Sequence, residues 1–192
     1  MQVKVIEETV QALEDYGRVS IAYVVKTRFR VDLVRGGLGG FALTEEPVRP
    51  PYLKDYDQER GEGPTRWLKR WNISHWGVLS AYCSGVRMGG AVVAYDTEGV
   101  LTLEGRKDLA ALWDIRVRPE SRGRGIGTNL FQKAAQWARN KGCCMLKIET
   151  QNTNVPACRF YQKQGCELGT VSRFAYGTNP EEVQLIWYKS IA

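Results

Sequence analysis

The sequence predicts an α/β fold in one domain, with strands dominating one sheet and helices packed on it. Three observations carry this. An apolar strand-like run at residues 111–117 is followed by the glycine-rich stretch 122–127 and then by the clearest helical pattern in the chain. A second strand-like run, 144–150, leads into a second helical stretch at 154–164. Around these two units lie β-branched and aromatic segments separated by Gly, Pro and Asn.

Taken in order, residues 19–33 are rich in β-branched and aromatic side chains and read as strand. Gly36, Gly37, Gly39 and Gly40 read as a turn, and 41–48 as another strand. Residues 47–63 hold three prolines and several acids and read as an irregular excursion. Residues 65–71 suit a short helical turn. Residues 76–83 and 87–95 form a hairpin pattern closed by Ser84 and Gly85, and 109–117 is the next strand. In 125–141, Ile126, Leu130, Phe131, Ala134, Ala135, Trp137 and Ala138 recur at the helical period, and Gly142 stops the helix. Residues 143–150 read as strand. The helix at 154–164 tolerates Pro156 in its first turn and ends at Gly165. Residues 167–176 and 183–188 close as strands around a turn at 177–180. No repeat, linker or low-complexity tail interrupts the chain.

Composition narrows the class. At 192 residues, the chain is long enough for one domain with its own core. Hydrophobic content is 43%, and no apolar run approaches the roughly 18 residues a membrane span needs. Residues 1–8 carry acids where a secretory leader has an apolar core, so a cytoplasmic protein is expected. The five cysteines match no zinc spacing and read as reduced, mostly buried thiols; no metal is expected. The net charge of +6 raises nucleic-acid binding. The basic residues are scattered, however, and their densest group, Arg116, Arg118, Arg122 and Arg124, surrounds the glycine stretch, so no nucleic-acid partner is expected.

Residues Arg122, Gly123, Arg124, Gly125, Ile126, Gly127 and Thr128 have the make-up of an anion site. Glycines permit close backbone approach and positive φ. The first N–H groups of a helix lack intrahelical partners, and the helix dipole favours negative charge there. A pyrophosphate fits. The spacing matches neither G-x-x-x-x-G-K-[ST] nor G-x-G-x-x-G, which leaves R-x-x-G-x-G.

That loop resembles the acetyl-CoA loop of the GNAT superfamily of N-acetyltransferases. The order N-x-x-A-x-x-x-Y-x-x-x-G at Asn154, Ala157, Tyr161 and Gly165 is similar to that superfamily's second cofactor-binding element. One departure is Cys166, where members usually carry Phe. Segments 51–57, 71–77, 89–91, 148–154, 157–161 and 187–188 further resemble streptothricin acetyltransferases, over about residues 50 to 190. Those enzymes acetylate an amino group of a cationic antibiotic.

The resemblance implies a mixed, mostly antiparallel central sheet flanked by helices. It implies a single domain over 1–192, with its acetyl-CoA-binding core at about 109–166. The backbone of Ile115, Arg116 and Val117 would meet the pantetheine, residues 122–128 the pyrophosphate, and Asn154 with Ala157 the pantetheine arm. The amine would attack the thioester directly. Tyr161 matches the superfamily's general acid, and a phenol with an ordinary pKa of about 10 is close enough to a thiol to donate usefully. For the proton acceptor or amine ligand, Asp114 and Glu149 are the candidates. His75, the lone histidine, reads as structural. Cys158 sits where a small packing residue is expected and is no nucleophile.

A cationic substrate calls for acids and aromatics, and Tyr52, Asp55, Tyr56, Asp57 and Trp76 are the candidates. The expected partner is a small-molecule amine, with the chain a monomer or a homodimer; a C-terminal edge strand would offer a pairing surface. Two other classes stay open: a protein or peptide N-acetyltransferase, and a non-catalytic acyl-CoA-binding module.

Overall fold

The computed structural model describes residues 3–59, 63–177, 179 and 181–192. In chain order its elements are β1 (Lys4–Glu8), α1 (Leu13–Gly17), β2 (Tyr23–Leu33), β3 (Phe41–Lys54), α2 (Pro64–Arg70), β4 (Gly77–Cys83), β5 (Val86–Ala94), β6 (Leu109–Val117), α3 (Ile126–Asn140), β7 (Met145–Gln151), α4 (Val155–Lys163), β8 (Glu167–Ser172) and β9 (Gln184–Ser190). The class is the expected α/β, mostly antiparallel, with helices flanking the sheet. The chain resolves into two compact units. One holds the residues through Ala22, Asp55–Lys147 and Ser190–Ala192; the other holds Tyr23–Lys54 and Ile148–Lys189.

In the first unit, β1 pairs with β4, β4 with β5, and β5 with β6, all antiparallel. The β4–β5 hairpin closes through Ser84 and Gly85, at φ 48° and 78°, the positive-φ pair that a tight hairpin turn requires. Helix α3 packs against β4, β5 and β6. It buries Ile126, Leu130, Phe131, Ala134, Trp137 and Ala138 of the periodic set, and leaves Ala135 partly exposed. A second apolar layer joins Leu13 and Tyr16 of α1 to Trp67, Trp76, Val78, Val92 and Ala111, with Trp71 and Trp113 packed on it. Five pairings among these four tryptophans have ring centroids 5.1 to 6.5 Å apart, each tilted or edge-on. Each such aromatic pair adds about 0.5–1.5 kcal/mol beyond its area burial.

In the second unit, β2 and β3 form a separate two-stranded ribbon. The ribbon is tied at Asn152: Phe29 N–H donates to the Asn152 carbonyl at 2.9 Å, and Asn152 Nδ2 donates to the Phe29 carbonyl at 2.9 Å. A bare ribbon is marginal in water, so such ties matter. Strand β9 lies between β7 and β8 and pairs antiparallel with β8.

Four expectations change. The strand expected at 41–48 runs on to Lys54, through Pro47, Pro50 and Pro51. The register shift between Val25 and Thr27, opposite Tyr52 and Pro47, leaves Pro50 and Pro51 in an irregular stretch where no ladder N–H is missed, while Pro47 stands at its border, opposite Thr27. The strand expected from residue 19 begins at Tyr23. The C-terminal strand β9 is interior rather than an edge, because β8 covers it; β8 takes the edge position. The strand expected over 167–176 ends at Ser172. Strand β1 and helix α1 answer to no expectation from the sequence. Thr178 and Pro180 of the expected closing turn, and residues 60–62 of the excursion, lie outside the described residues.

Candidate functional site

The glycine stretch leads directly into α3. Gly123 and Gly125 adopt φ 77° and 81°. Beyond the adjoining residues of the chain, nothing lies within 4 Å of where a Cβ would stand on either, so backbone conformation rather than crowding selects glycine there. The helix opens with no side-chain cap and no acid in its first turn. Its leading N–H groups therefore point outward, with the positive end of the helix dipole behind them.

The arginines around this turn divide. Arg122 folds back: its Nε donates to the Val117 carbonyl at 3.0 Å and its Nη2 to the Ala22 carbonyl at 3.1 Å. Burial lowers the Arg122 pKa, and only Glu120 opposes the shift. Arg118 Nε donates to the Arg87 carbonyl at 2.6 Å. Arg124 is exposed and has no ion pair among the described residues.

Strand β6 pairs its Ile115, Arg116 and Val117 with Ala91, Gly90 and Gly89 of β5. A Cβ on Gly89 would stand 2.4 Å from the Arg116 carbonyl oxygen, so glycine is what lets the two strands close up. The register jumps at Trp113, since Val92 faces Asp114 and Val93 faces Leu112. This bulge breaks the alternation. Trp113 joins the tryptophan layer, and Asp114 and Arg116 turn inward beside Tyr16.

Arg116 uses all five of its N–H groups. Nε donates to Asp114 Oδ1 at 2.9 Å and Nη2 to Asp114 Oδ2 at 2.6 Å. Nη1 and Nη2 donate to Asp57 Oδ2 and Oδ1 at 2.7 and 3.0 Å, and Nη1 also donates to the Val19 carbonyl at 3.0 Å. The Tyr16 hydroxyl donates to Asp114 Oδ1. Burial opposes the Arg116 cation, but the facing carboxylates outweigh it and raise its pKa. Burial first, and then Asp114, push Tyr16 well above the usual phenol range.

In the second unit, Asn154 caps α4, its side-chain oxygen accepting from the Ala157 N–H at 3.2 Å. Val155, Cys158 and Tyr161 form the buried stripe of that helix. Tyr161 is 5% exposed, its ring 5.3 Å from that of Phe160. Burial pushes the Cys158 thiol up to about 11, in keeping with a packing role. Glu149 is exposed on β7, and its Oε1 accepts from the Tyr176 hydroxyl at 2.6 Å.

The substrate candidates scatter. Tyr52 is on β3 and 43% exposed. Asp55 accepts from the Asp57 N–H at 3.1 Å, shaping the turn that carries Tyr56 and Asp57. Asp57 is held by Arg116. Trp76 is 5% exposed within the tryptophan layer, and its Nε1 donates to Thr97 Oγ1 at 2.9 Å. His75 faces the Asp96 carbonyl, 3.2 Å from its Nδ1, beside a cavity of about 270 Å³ that Glu7, Tyr95 and Lys141 also line. Of the candidate site residues, only Trp76 reaches that cavity. The structure thus joins Asp57, Asp114 and Arg116 in one network and aligns Asn154, Ala157 and Tyr161 on α4. The part played by the Arg116 side chain, and that of Tyr176, went unread in the sequence. Gln151, two residues from Glu149, shares its face of the strand, but nothing local points to Tyr176.

Comparison with known proteins bears on this arrangement. The profile of the acetyltransferase (GNAT) family matches residues 41–166, more than half of the chain. Streptothricin acetyltransferase of Escherichia coli is 28% identical, covering 98% of this chain and 95% of its own. The solved structure of nourseothricin acetyltransferase superposes with a TM-score of 0.75 at 24% identity, over 100% of both chains. A Bacillus anthracis structure in complex with acetyl coenzyme A superposes with a TM-score of 0.76 at 24% identity, over 98% and 99% of the two chains. At that identity, the two superpositions speak for the fold.

Proposed function

The chain belongs to the GNAT family of acetyltransferases, and on that premise we propose that it moves an acetyl group from acetyl-CoA to a primary amine of a small cationic acceptor, with a streptothricin-like antibiotic favoured. The observation that carries this reading is the uncapped start of α3 behind left-handed Gly123 and Gly125, a cradle suited to a pyrophosphate. Residues 122–128 would hold that group, with Arg124 supplying free charge. The backbone of Ile115, Arg116 and Val117 would meet the pantetheine, and Asn154 and Ala157 its arm. The full-length match to a streptothricin acetyltransferase supports the acceptor class, and the relative solved with acetyl coenzyme A supports the donor. The family profile runs across both compact units, which supports one catalytic domain.

When bound, acetyl-CoA would supply the thioester: the neutral amine nitrogen would bond to the carbonyl carbon and shed its second proton to water as the carbon–sulfur bond breaks and the thiolate leaves, and water would return a proton to the phenol that protonates the sulfur. Tyr161 is the residue proposed to protonate that sulfur. The ammonium must first lose a proton. Asp114 has both oxygens committed to Arg116 and Tyr16. Glu149 keeps an oxygen open, so the amine is assigned to Glu149 and the cohesion of strand and turn to Asp114. Tyr52, Asp55 and Tyr56 are the proposed recognition residues for the rest of a cationic acceptor; Asp57, with both oxygens held by Arg116, and Trp76, buried in the tryptophan layer, are assigned to the scaffold instead.

The test is free-thiol release from acetyl-CoA against streptothricin, lysine, aminoglycosides, polyamines and short peptides. Efficient turnover of streptothricin supports the reading. Turnover of peptides alone moves the chain to peptide acetylation, and acetyl-CoA binding with no turnover marks a binding module.

A further inference from the structure

Glu149, Gln151 and Tyr176 form a directed relay in the second unit. Gln151 Nε2 donates to the Tyr176 oxygen at 3.0 Å, and the Tyr176 hydroxyl donates to Glu149 Oε1 at 2.6 Å. A side-chain amide nitrogen only donates, so Gln151 occupies a lone pair of the phenol and leaves its proton for Glu149. Burial and the facing carboxylate raise the Tyr176 pKa, so the hydroxyl keeps that proton. Tyr176 sits between β8 and β9 and is half-buried, while Glu149 is exposed, and its second oxygen meets no donor among the described residues.

We infer that Tyr176 is a positioning residue for the acceptor amine: it anchors one oxygen of Glu149, so that the other is presented to a protonated primary amine. The inference rests on the proposed role of Glu149. An exposed glutamate on a strand samples several rotamers, and holding it costs side-chain entropy at each binding event. A charge-assisted bond from a phenol with little freedom of its own removes that cost beforehand. Tyr176 does not itself touch the reacting atoms. Its effect falls on the use of the amine and leaves acetyl-CoA binding alone.

A double-mutant cycle tests this, using the amine of highest kcat/KM in the panel, streptothricin on the present reading. Tyr176→Phe is expected to lower kcat/KM for the amine about tenfold, the scale of one hydrogen bond to a charged group, with acetyl-CoA affinity unchanged. Glu149→Gln is expected to lower it further. In the Glu149→Gln background, adding Tyr176→Phe is expected to change little, about twofold at most, because the two residues act as one unit. Independent, multiplying losses would overturn the positioning role while leaving Glu149 in place. Full activity of Glu149→Gln would instead remove Glu149 from the reaction. Should Tyr176→Phe weaken acetyl-CoA binding as well, Gln151→Leu probes the same relay from its other end: loss of amine use alone supports the inference, and wild-type kinetics count against it.

Discussion

Arg116 and Asp57 meet through a two-pronged ion pair, Nη1 to Oδ2 at 2.7 Å and Nη2 to Oδ1 at 3.0 Å, while the same guanidinium grips Asp114 with its remaining edge. The Arg116 side chain is 1% exposed, and those of Asp114 and Asp57 are 5% and 22% exposed. One cation between two carboxylates pins the turn at residues 56–58 to β6, and its bond to the Val19 carbonyl holds the segment that leads towards β2.

Removing the cation leaves two carboxylates, one of them deeply buried, facing each other. Arg116→Met is expected to cost about 3–5 kcal/mol of stability, the usual penalty for breaking a buried pair from one side. Urea unfolding at neutral pH reads this directly. Lysine at this position should recover only part of the loss, since it cannot fork towards two carboxylates. A midpoint shift near zero for Arg116→Met would mean that the network contributes nothing net.

Tyr161→Phe keeps the ring in the buried stripe of α4 and removes only the hydroxyl. If the phenol protonates the leaving sulfur, kcat falls about a hundredfold with the KM for acetyl-CoA little changed. Steady-state kinetics at saturating amine decide it, and an unaltered kcat takes Tyr161 out of the mechanism.

Gly125→Val introduces a β-branched residue at φ 81°. The left-handed conformation costs about 1–2 kcal/mol, which the fold should survive because the new Cβ meets no protein atom. The side chain would stand where a pyrophosphate must approach. Calorimetry should show acetyl-CoA affinity reduced about a hundredfold, the scale of lost charge-assisted bonds. Retained affinity would reassign the loop.

Burial pushes the thiols of Cys143, Cys158 and Cys166 up to about 11. A raised pKa keeps the neutral thiol in place until the pH nears that value, so at pH 8 roughly one part in a thousand is thiolate. Cys144 is partly exposed. Iodoacetamide at pH 8 should therefore label Cys144 first and leave activity intact. Peptide mapping that finds Cys158 modified equally fast would contradict the packing role given to it.

Most elements were legible because their signals are local. The helical period of 126–138, the stops at Gly142 and Gly165, the Ser84–Gly85 turn and strand 109–117 each depend on neighbours a few residues away. The excursion was harder to read. Prolines argue against a strand, and only the irregular register opposite Val25 and Thr27 shows how β3 accommodates Pro50 and Pro51. Asp114 looked like an open acid because no local pattern reveals that Arg116, on the same face, turns back to claim it.

The sequence by itself determined the glycine turn that opens α3 and the extent of helix α4, since backbone conformation at Gly123 and Gly125, helix capping by Asn154 and side-chain periodicity are short-range properties. The tertiary structure alone decided which acids are spent and which is open. Tyr16 reaches Asp114 across 98 positions, Arg116 reaches Asp57 across 59, and Tyr176 reaches Glu149 across 27. Those pairings follow from how the strands stack and where the bulge at Trp113 turns the chain. An ion pair or hydrogen bond forms where packing brings charged and polar groups within about 3 Å, whatever their distance along the sequence.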